Sequence, residues 1–319
     1  MEGIEISKYW QKFILKINCL LGRNNMYKRV GVFLVGLVWV FCSINIGTPE
    51  EDYRSFHLRI SGVYGSVPIG DFNTFLKDTE FHYDRLLAPY GFIKDKNLEV
   101  IGYVWGLNAE FMMRFSKHFG LGVKTGYIQQ SLSTSVSWQS DELGVFTLST
   151  EPQIYFVPLI LKGYGYLPLN SRMSVYVMGG PGFYLVSSSY DFKEDSQITG
   201  NEGVHNTYLY SEGMGYGLEG GVGLEIILSS STSFFIEGGG RHVNVNKLTG
   251  RMRLDGRVGG STGDIWYFEY FDENISEYIS GIRYGEKPES ESLRNIRRMG
   301  IDLSGYYLAV GFWFRIGIW

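Results

Sequence analysis

Three groups of residues in this chain could do chemistry. The first is its five histidines. His82 stands two residues from Asp84, a spacing that could orient an imidazole as a base, and His205 sits among polar loop-like residues. His57 reads as sharing an inward face with Arg59 and Ser61, His118 as a turn residue, and His242 as outward-facing near a strand end. A hydrolase would need a nucleophile to match, and no serine motif supplies one. Gly215-Tyr216-Gly217-Leu218-Glu219-Gly220 matches G-x-G-x-x-G. That fingerprint works only where a strand turns into a helix. Here glycine continues at period two through Gly213, Gly221 and Gly223, which places the match inside a strand. The two cysteines, Cys19 and Cys42, both lie near the N-terminus, so the rest of the chain has no disulfide or cysteine metal site. The expectation is no enzyme, no cofactor and no metal.

The second group is charged and sits among apolar residues. Lys124, Lys162, Glu219, Glu225, Glu237, Arg241 and Arg315 fall on the phase opposite to the large apolar side chains, as do Arg59, Glu110 and Arg114. Such a set could gate an ion path or could form a plug of salt bridges. The interior of an eight-stranded barrel has room only for side chains, which favours the plug. Glu237 and Arg241 are four residues apart on one strand, about 13 Å, too far to pair with each other. Arg315 is the expected partner of Glu237, and Glu219 of Arg241.

The third group combines an aromatic run, Trp266, Tyr267, Phe268, Tyr270 and Phe271, with the basic residues Arg294, Arg297 and Arg298. On an outer loop these are candidates for binding a partner. The plainer alternative is that the aromatics extend strands above a bilayer and the arginines merely meet lipid phosphate.

Strands must position all three groups. From Tyr306 to Trp319, even positions carry Tyr306, Leu308, Val310, Phe312, Phe314, Ile316 and Ile318. Odd positions carry small residues, aromatics and Arg315. A strand sends alternate side chains to opposite faces, so this segment is apolar outside and small or polar inside. The same alternation marks strands near 56–67, 98–115, 119–128, 151–166, 173–190, 213–227 and 233–246, eight in all with the last. Ile101, Tyr103, Trp105 and Leu107 read as outward on the second. Tight turns at Ser116–His118, Leu167–Arg172 and Ser229–Thr232 alternate with longer loops at 68–97, 139–149, 192–205 and 247–299. Short turns on one side and long loops on the other predict an all-β, eight-stranded antiparallel up-and-down transmembrane barrel. A soluble sandwich would need polar outer faces that the second, sixth and last strands lack. Pro158 and Pro181 lie inside strands, so bulges are expected there.

Composition agrees. There are 42 glycines in 319 residues, charged residues make up 19% and aromatics 16%. Tyr and Trp suit membrane interfaces, and a net charge of −4 argues against a nucleic-acid partner. Lys28 and Arg29 precede an apolar run from Val30 to Cys42, too short to span a bilayer but fitting for a secretory signal. The expected organisation is residues 1–25 as an extension or a start set too early, 26–47 as signal peptide, and 48–319 as the barrel.

The segments Phe156-Val157-Pro158-Leu159-Ile160-Leu161-Lys162 and Val177-Met178-Gly179-Gly180-Pro181-Gly182-Phe183-Tyr184, with the aromatic C-terminal end, resemble the small outer-membrane β-barrel family. These are porin-like, PorT-type barrels akin to OmpA and OmpX, and the resemblance covers about residues 55–319. Trp319 departs from it by falling out of phase with the alternating apolar residues. The resemblance implies location in the outer membrane of a Gram-negative envelope. The expected role is structural or surface-binding through the outer loops, with lipopolysaccharide, outer-membrane lipid and an envelope protein as partners. A small-solute channel, or a component of a secretion or envelope-assembly complex, is the competing function.

Overall fold

In the computed structural model, residues 55–254 and 260–316 are described. The signal segment, the start and the out-of-phase Trp319 lie outside them. Most of the alternating segments become strands. In chain order β1 (Ser55–Ser66) leads to helix α1 (Asp71–Leu87) and a short 3-10 turn (Ala88–Tyr90), then β2 (Ile93–Lys94) and β3 (Tyr103–Arg114). There follow β4 (Phe119–Ser131), β5 (Thr134–Ser140), β6 (Gly144–Pro168), β7 (Met173–Ile198), β8 (Asn201–Ile227) and β9 (Thr232–Val245). The last stretch holds β10 (Leu248–Leu254), β11 (Thr262–Asp272), β12 (Glu277–Tyr284), β13 (Leu293–Arg298), β14 (Ile301–Asp302) and β15 (Gly305–Ile316).

The sheet therefore has 15 strands where eight were expected. The pairings explain the difference. β1 pairs β3, β3 pairs β4, β4 pairs β6 and β6 pairs β7, all antiparallel. β7 then pairs β8, β8 pairs β9, β9 pairs β15 and β15 returns to β1. This cycle of pairings joins eight strands; of the seven further strands, β2 and β10 to β13 are built from segments expected to be loops, β5 begins ahead of the loop expected at 139–149, and β14 follows the one expected at 247–299. The stretch 139–149 is the β5–β6 hairpin, and 192–205 is the tip where β7 and β8 continue paired to Ile198 and Asn201. The stretch 247–299 supplies β10 to β13. The stretch 68–97 holds a 17-residue helix, which period-two reading overlooks. Its Phe72, Leu76, Glu80 and Leu87 are buried, spaced near 3.6 residues apart.

Neither proline makes a bulge. β6 and β7 keep one register from Gly144↔Ile198 to Pro168↔Ser174. Partners are missing only near Leu161 and Lys162, opposite Pro181 and Gly180, and on the β4 side near Pro158. A proline removes a donor without requiring an inserted residue, so the ladder skips and the register holds. Ile101 also differs from expectation. It precedes β3 and is 1% exposed, inside the outer core and not on the outward face.

The faces of the sheet change character along the strands. On β6 the outward residues are Glu151 and Gln153, then Tyr155, Val157, Leu159 and Leu161. The inward ones are Phe146, Leu148 and Ile154, then Phe156 and Ile160, then Lys162, Tyr164 and Tyr166. The paired rows agree. Glu151↔Asp191↔Tyr208 lies on the polar side of the change, and Val157↔Leu185↔Met214 on the apolar side.

Candidate functional site

The inward face of the ring gathers the charges. Arg59 on β1 lies at the centre, 3% exposed, with Nη1 3.1 Å from Glu110 Oε2 and Nη2 2.8 Å from Glu237 Oε2. It also donates to the hydroxyls of Tyr164 and Tyr176. Its guanidinium carbon is 4.1 Å from the Phe235 ring centroid and 4.7 Å from that of Trp313. Lys162, fully buried, reaches Glu219 at 2.8 Å and Glu237 at 3.4 Å. Lys124 reaches the same Glu219 oxygen at 2.5 Å. The Tyr307 hydroxyl donates to Glu219 at 3.0 Å and to Glu237 at 3.2 Å. Three cations thus face three carboxylates inside a cage of tyrosines. Buried ions need this density of partners, because one left alone costs several kcal/mol.

Glycines on β8 and β9 make room for the cage. A Cβ at Gly223 would run into the Tyr176 ring, and one at Gly239 would stand 2.7 Å from the Tyr307 hydroxyl oxygen. Beside the cluster lies a cavity of about 10 Å³ lined by Arg59, Ser61, Asn108, Glu110, Lys124 and Glu237. That is about one water, and the buried Asn108 Oδ1 without a partner is a group such a water would satisfy.

The remaining interior charges lie apart. Arg114 faces Glu225 at 3.5 Å and covers the Tyr166 ring at 4.0 Å. Neither expected pair forms. Glu237 is opposite Ala309, whereas Arg315 is opposite His57 and exposed, so register places them too far along β15 to meet. Glu219 and Arg241 are directly opposite, yet Glu219 turns to the lysines and Arg241 donates from Nε to Leu303 O at 2.7 Å.

The outer segments close over α1. Phe72 stacks on Tyr190 with centroids 4.5 Å apart, Phe75 meets Phe192 at 5.7 Å, and Tyr83 meets Phe146 at 4.6 Å. Burial and the Glu194 carboxylate, to which its hydroxyl donates at 2.8 Å, hold Tyr83 well above the ordinary phenol range. Lys94 bonds Asp84 at 2.5 Å and Glu80 at 3.1 Å, and Trp138 Nε1 donates to Asp84 at 2.7 Å. Burial pulls the Lys94 ammonium down, but those two carboxylates outweigh it and raise it above its ordinary value.

The three outer arginines bind acids of the same chain. Arg294 lies 2.7 Å from Glu269, Arg297 2.8 Å from Asp71 at the start of α1, and Arg298 2.7 Å from Asp264. Of the aromatic run, Tyr267 is 3% exposed under Arg297, and Trp266 donates to Gly285 O at 3.0 Å. Phe268 and Tyr270 are half-buried, and Phe271, 44% exposed, meets Tyr278 edge-on. Of the three arginines, Arg297 reaches α1, through Asp71, while Arg294 and Arg298 pair with acids of β11. His82 faces Asp272 at 3.4 Å and does not pair with Asp84. His57 is buried beside Ser55, His118 lies in a turn against Tyr166 O, and His242 faces outward near Ser304. His205 lies on β8, and the G-x-G-x-x-G match falls within the same strand. Among the described residues no group of His, Cys, Asp and Glu could hold a metal.

No family profile matches the chain, and no curated protein does. Among solved structures it is similar to the crystal structure of the outer membrane protein OprG from Pseudomonas aeruginosa, at TM-score 0.37 and 10% identity. The match covers 84% of this chain and 98% of that one, and a likeness this low carries no argument.

Proposed function

We propose that the eight strands of the pairing cycle form a transmembrane β-barrel in a bacterial outer membrane. The lumen is closed by the Arg59 cluster and by α1, and the protein has a structural or surface-binding role. The observation that carries this reading is the change of faces along β6, β7 and β8. Outward residues pass from Glu151 and Gln153 to Tyr155, Val157, Leu159 and Leu161. Inward residues pass from Phe146 and Leu148 to Lys162 and Tyr164. Exposed apolar side chains on β3 and β15, among them Trp105, Leu107, Leu308, Val310 and Phe312, continue the belt. A strand leaving a bilayer for water must make this exchange, because solvent on its outer face changes from lipid to water. From Tyr155 to Leu167 is 13 residues, enough for a span of about 9–11.

Lipid and lipopolysaccharide are the partners of the belt, and an envelope protein at the outer strands is the third. The reading includes no catalysis. A small-solute channel would need a path that the central cluster fills. Planar-bilayer recording of the purified protein, with gel mobility before and after boiling, tests both. A compact form that resists SDS until heated, with no steady current, is expected. Large ion-selective currents would establish the channel, and extraction of the folded chain from membranes by urea alone would remove the barrel reading.

A further inference from the structure

Beyond the apolar belt, the outward face of the strands differs in charge from one sector to the next. On β8 the outward side chains run from Leu218, Tyr216 and Met214, all exposed, through Glu212 to Tyr210 and Tyr208. Register sets Arg251 of β10 opposite Tyr210 and Arg253 opposite Tyr208, so both arginines share that outward face. Both are exposed, and neither has an ion pair among the described residues. The Arg251 guanidinium carbon lies 5.4 Å from the Tyr210 ring centroid. The sector continues across β11, where Arg283 of β12 and Arg298 of β13 stand opposite Trp266 on its two sides. Arg298 is taken by Asp264, whereas Arg283 is exposed and has no ion pair among the described residues. In the other direction the row Arg253, Tyr208, Asp191, Glu151 turns acidic two strands away. The basic sector therefore ends at the two tyrosines.

We infer that this sector binds the phosphorylated sugars of lipopolysaccharide, with Arg251 and Arg253 holding phosphate oxygens and Tyr210 and Tyr208 offering their rings to the sugars. The inference rests on the outer-membrane barrel reading and gives one of its partners a place. Two guanidiniums on alternate residues of one strand, about 7 Å apart at Cα, can each present a fork of donors to phosphate. Height decides between lipid sources. Tyr210 and Tyr208 are four and six residues beyond Met214. That is about 13–20 Å along the strand, or about 10–15 Å above the belt at a tilt of about 35–45°. Head groups add only about 5–8 Å to each side of the hydrocarbon core, so phospholipid phosphates lie below the two arginines. Lipopolysaccharide carries phosphate on sugars above that level.

The test uses the full folded chain in phosphatidylcholine nanodiscs. It is titrated with lipopolysaccharide, with the same lipopolysaccharide after enzymatic removal of its phosphates, and with phosphatidylglycerol. Arg251→Gln combined with Arg253→Gln should weaken lipopolysaccharide about tenfold or more, because both contacts are charge-assisted. Removing the phosphates should weaken the wild type by a similar factor, and phosphatidylglycerol should not distinguish the variant. Lys117→Gln combined with Arg172→Gln takes the same charge from the exposed short turns and should leave the affinity as it was. Equal affinity of wild type and the arginine variant would overturn the inference. So would a loss equally large for phosphatidylglycerol, for dephosphorylated lipopolysaccharide or in the short-turn variant. Gel mobility of the same preparations separates the two readings. A wild type without an SDS-resistant form would take the barrel and the site together, whereas a resistant one whose affinity ignores both arginines refutes the site alone.

Discussion

The interior around Arg59 and the chamber around α1 are filled in opposite ways by the same strands. Around Arg59 the interior is ionic, and its outward neighbours, Ile60 and Leu107 among them, are apolar and exposed. Around Leu76 the interior is apolar, and the outward residues include Glu151, Gln153, Asp191 and Glu212. The charge cluster is held by contacts from many strands at once, so losing one member strands the others. The chamber rests on α1 packing into a curved sheet, with its end tied by Asp71 to Arg297 and to Gly300 N. The two regions should therefore fail differently.

The largest effect is expected at the centre. Arg59→Leu removes the partner of Glu110 and Glu237 together and should cost about 3–5 kcal/mol in a urea titration of the detergent-folded protein. A midpoint unchanged from wild type would mean the cluster is only a space-filler. In the chamber, Leu76→Ala should cost about 2–5 kcal/mol locally, since that side chain is fully buried. Limited proteolysis should then cut α1 and the β10–β13 segment while resistance to SDS persists. Loss of both together would show a single cooperative unit, contrary to the contrast drawn here.

The outward faces give a third, smaller effect. Val310→Arg should destabilise the protein in lipid vesicles by about 2–4 kcal/mol, and Gln153→Arg by less than about 1, because depth in the bilayer sets the cost of an arginine. Equal costs would misplace the boundary. The smallest effect concerns pH at the outer strands. Burial alone would raise Glu269, but hydrogen bonds from Asn295 and Arg294 outweigh it and hold it below the ordinary carboxylate range. Its folded form is therefore the weaker proton binder. The stabilisation is present above the unfolded value and is lost as pH falls through the folded one. Because Arg294 is about half exposed, Glu269→Gln should change stability by less than about 1 kcal/mol at neutral pH. It should also remove that acid-dependent step from the proteolysis profile of β13.

How much could be read in advance follows the period of each segment. Alternation at Met214, Tyr216, Leu218 and Val222 marked β8 and its faces, because a strand exposed to different solvents on its two sides must write that difference at period two. The same search passed over α1, whose pattern has a period of 3.6, and ended β6, β7 and β8 too early. Beyond Gln153 and Glu212 the polar and apolar faces exchange, which looks like the end of a strand although the ladder continues.

By itself the sequence determined that the chain is an antiparallel all-β protein, which side chains share a face, and that Arg59, Glu110, Lys124, Lys162, Glu219 and Glu237 point inward. Those are local facts, set by where a strand directs successive side chains. Only the tertiary structure decided which charges meet. Partners such as Lys162 and Glu237 are 75 residues apart in the chain. Register and lean choose among them, giving Glu237 to Arg59 and Lys162 where residue spacing alone favoured Arg315. It decided too that the three outer arginines face Glu269, Asp71 and Asp264, because the fold of α1 brings Asp71 to β13 across 226 residues.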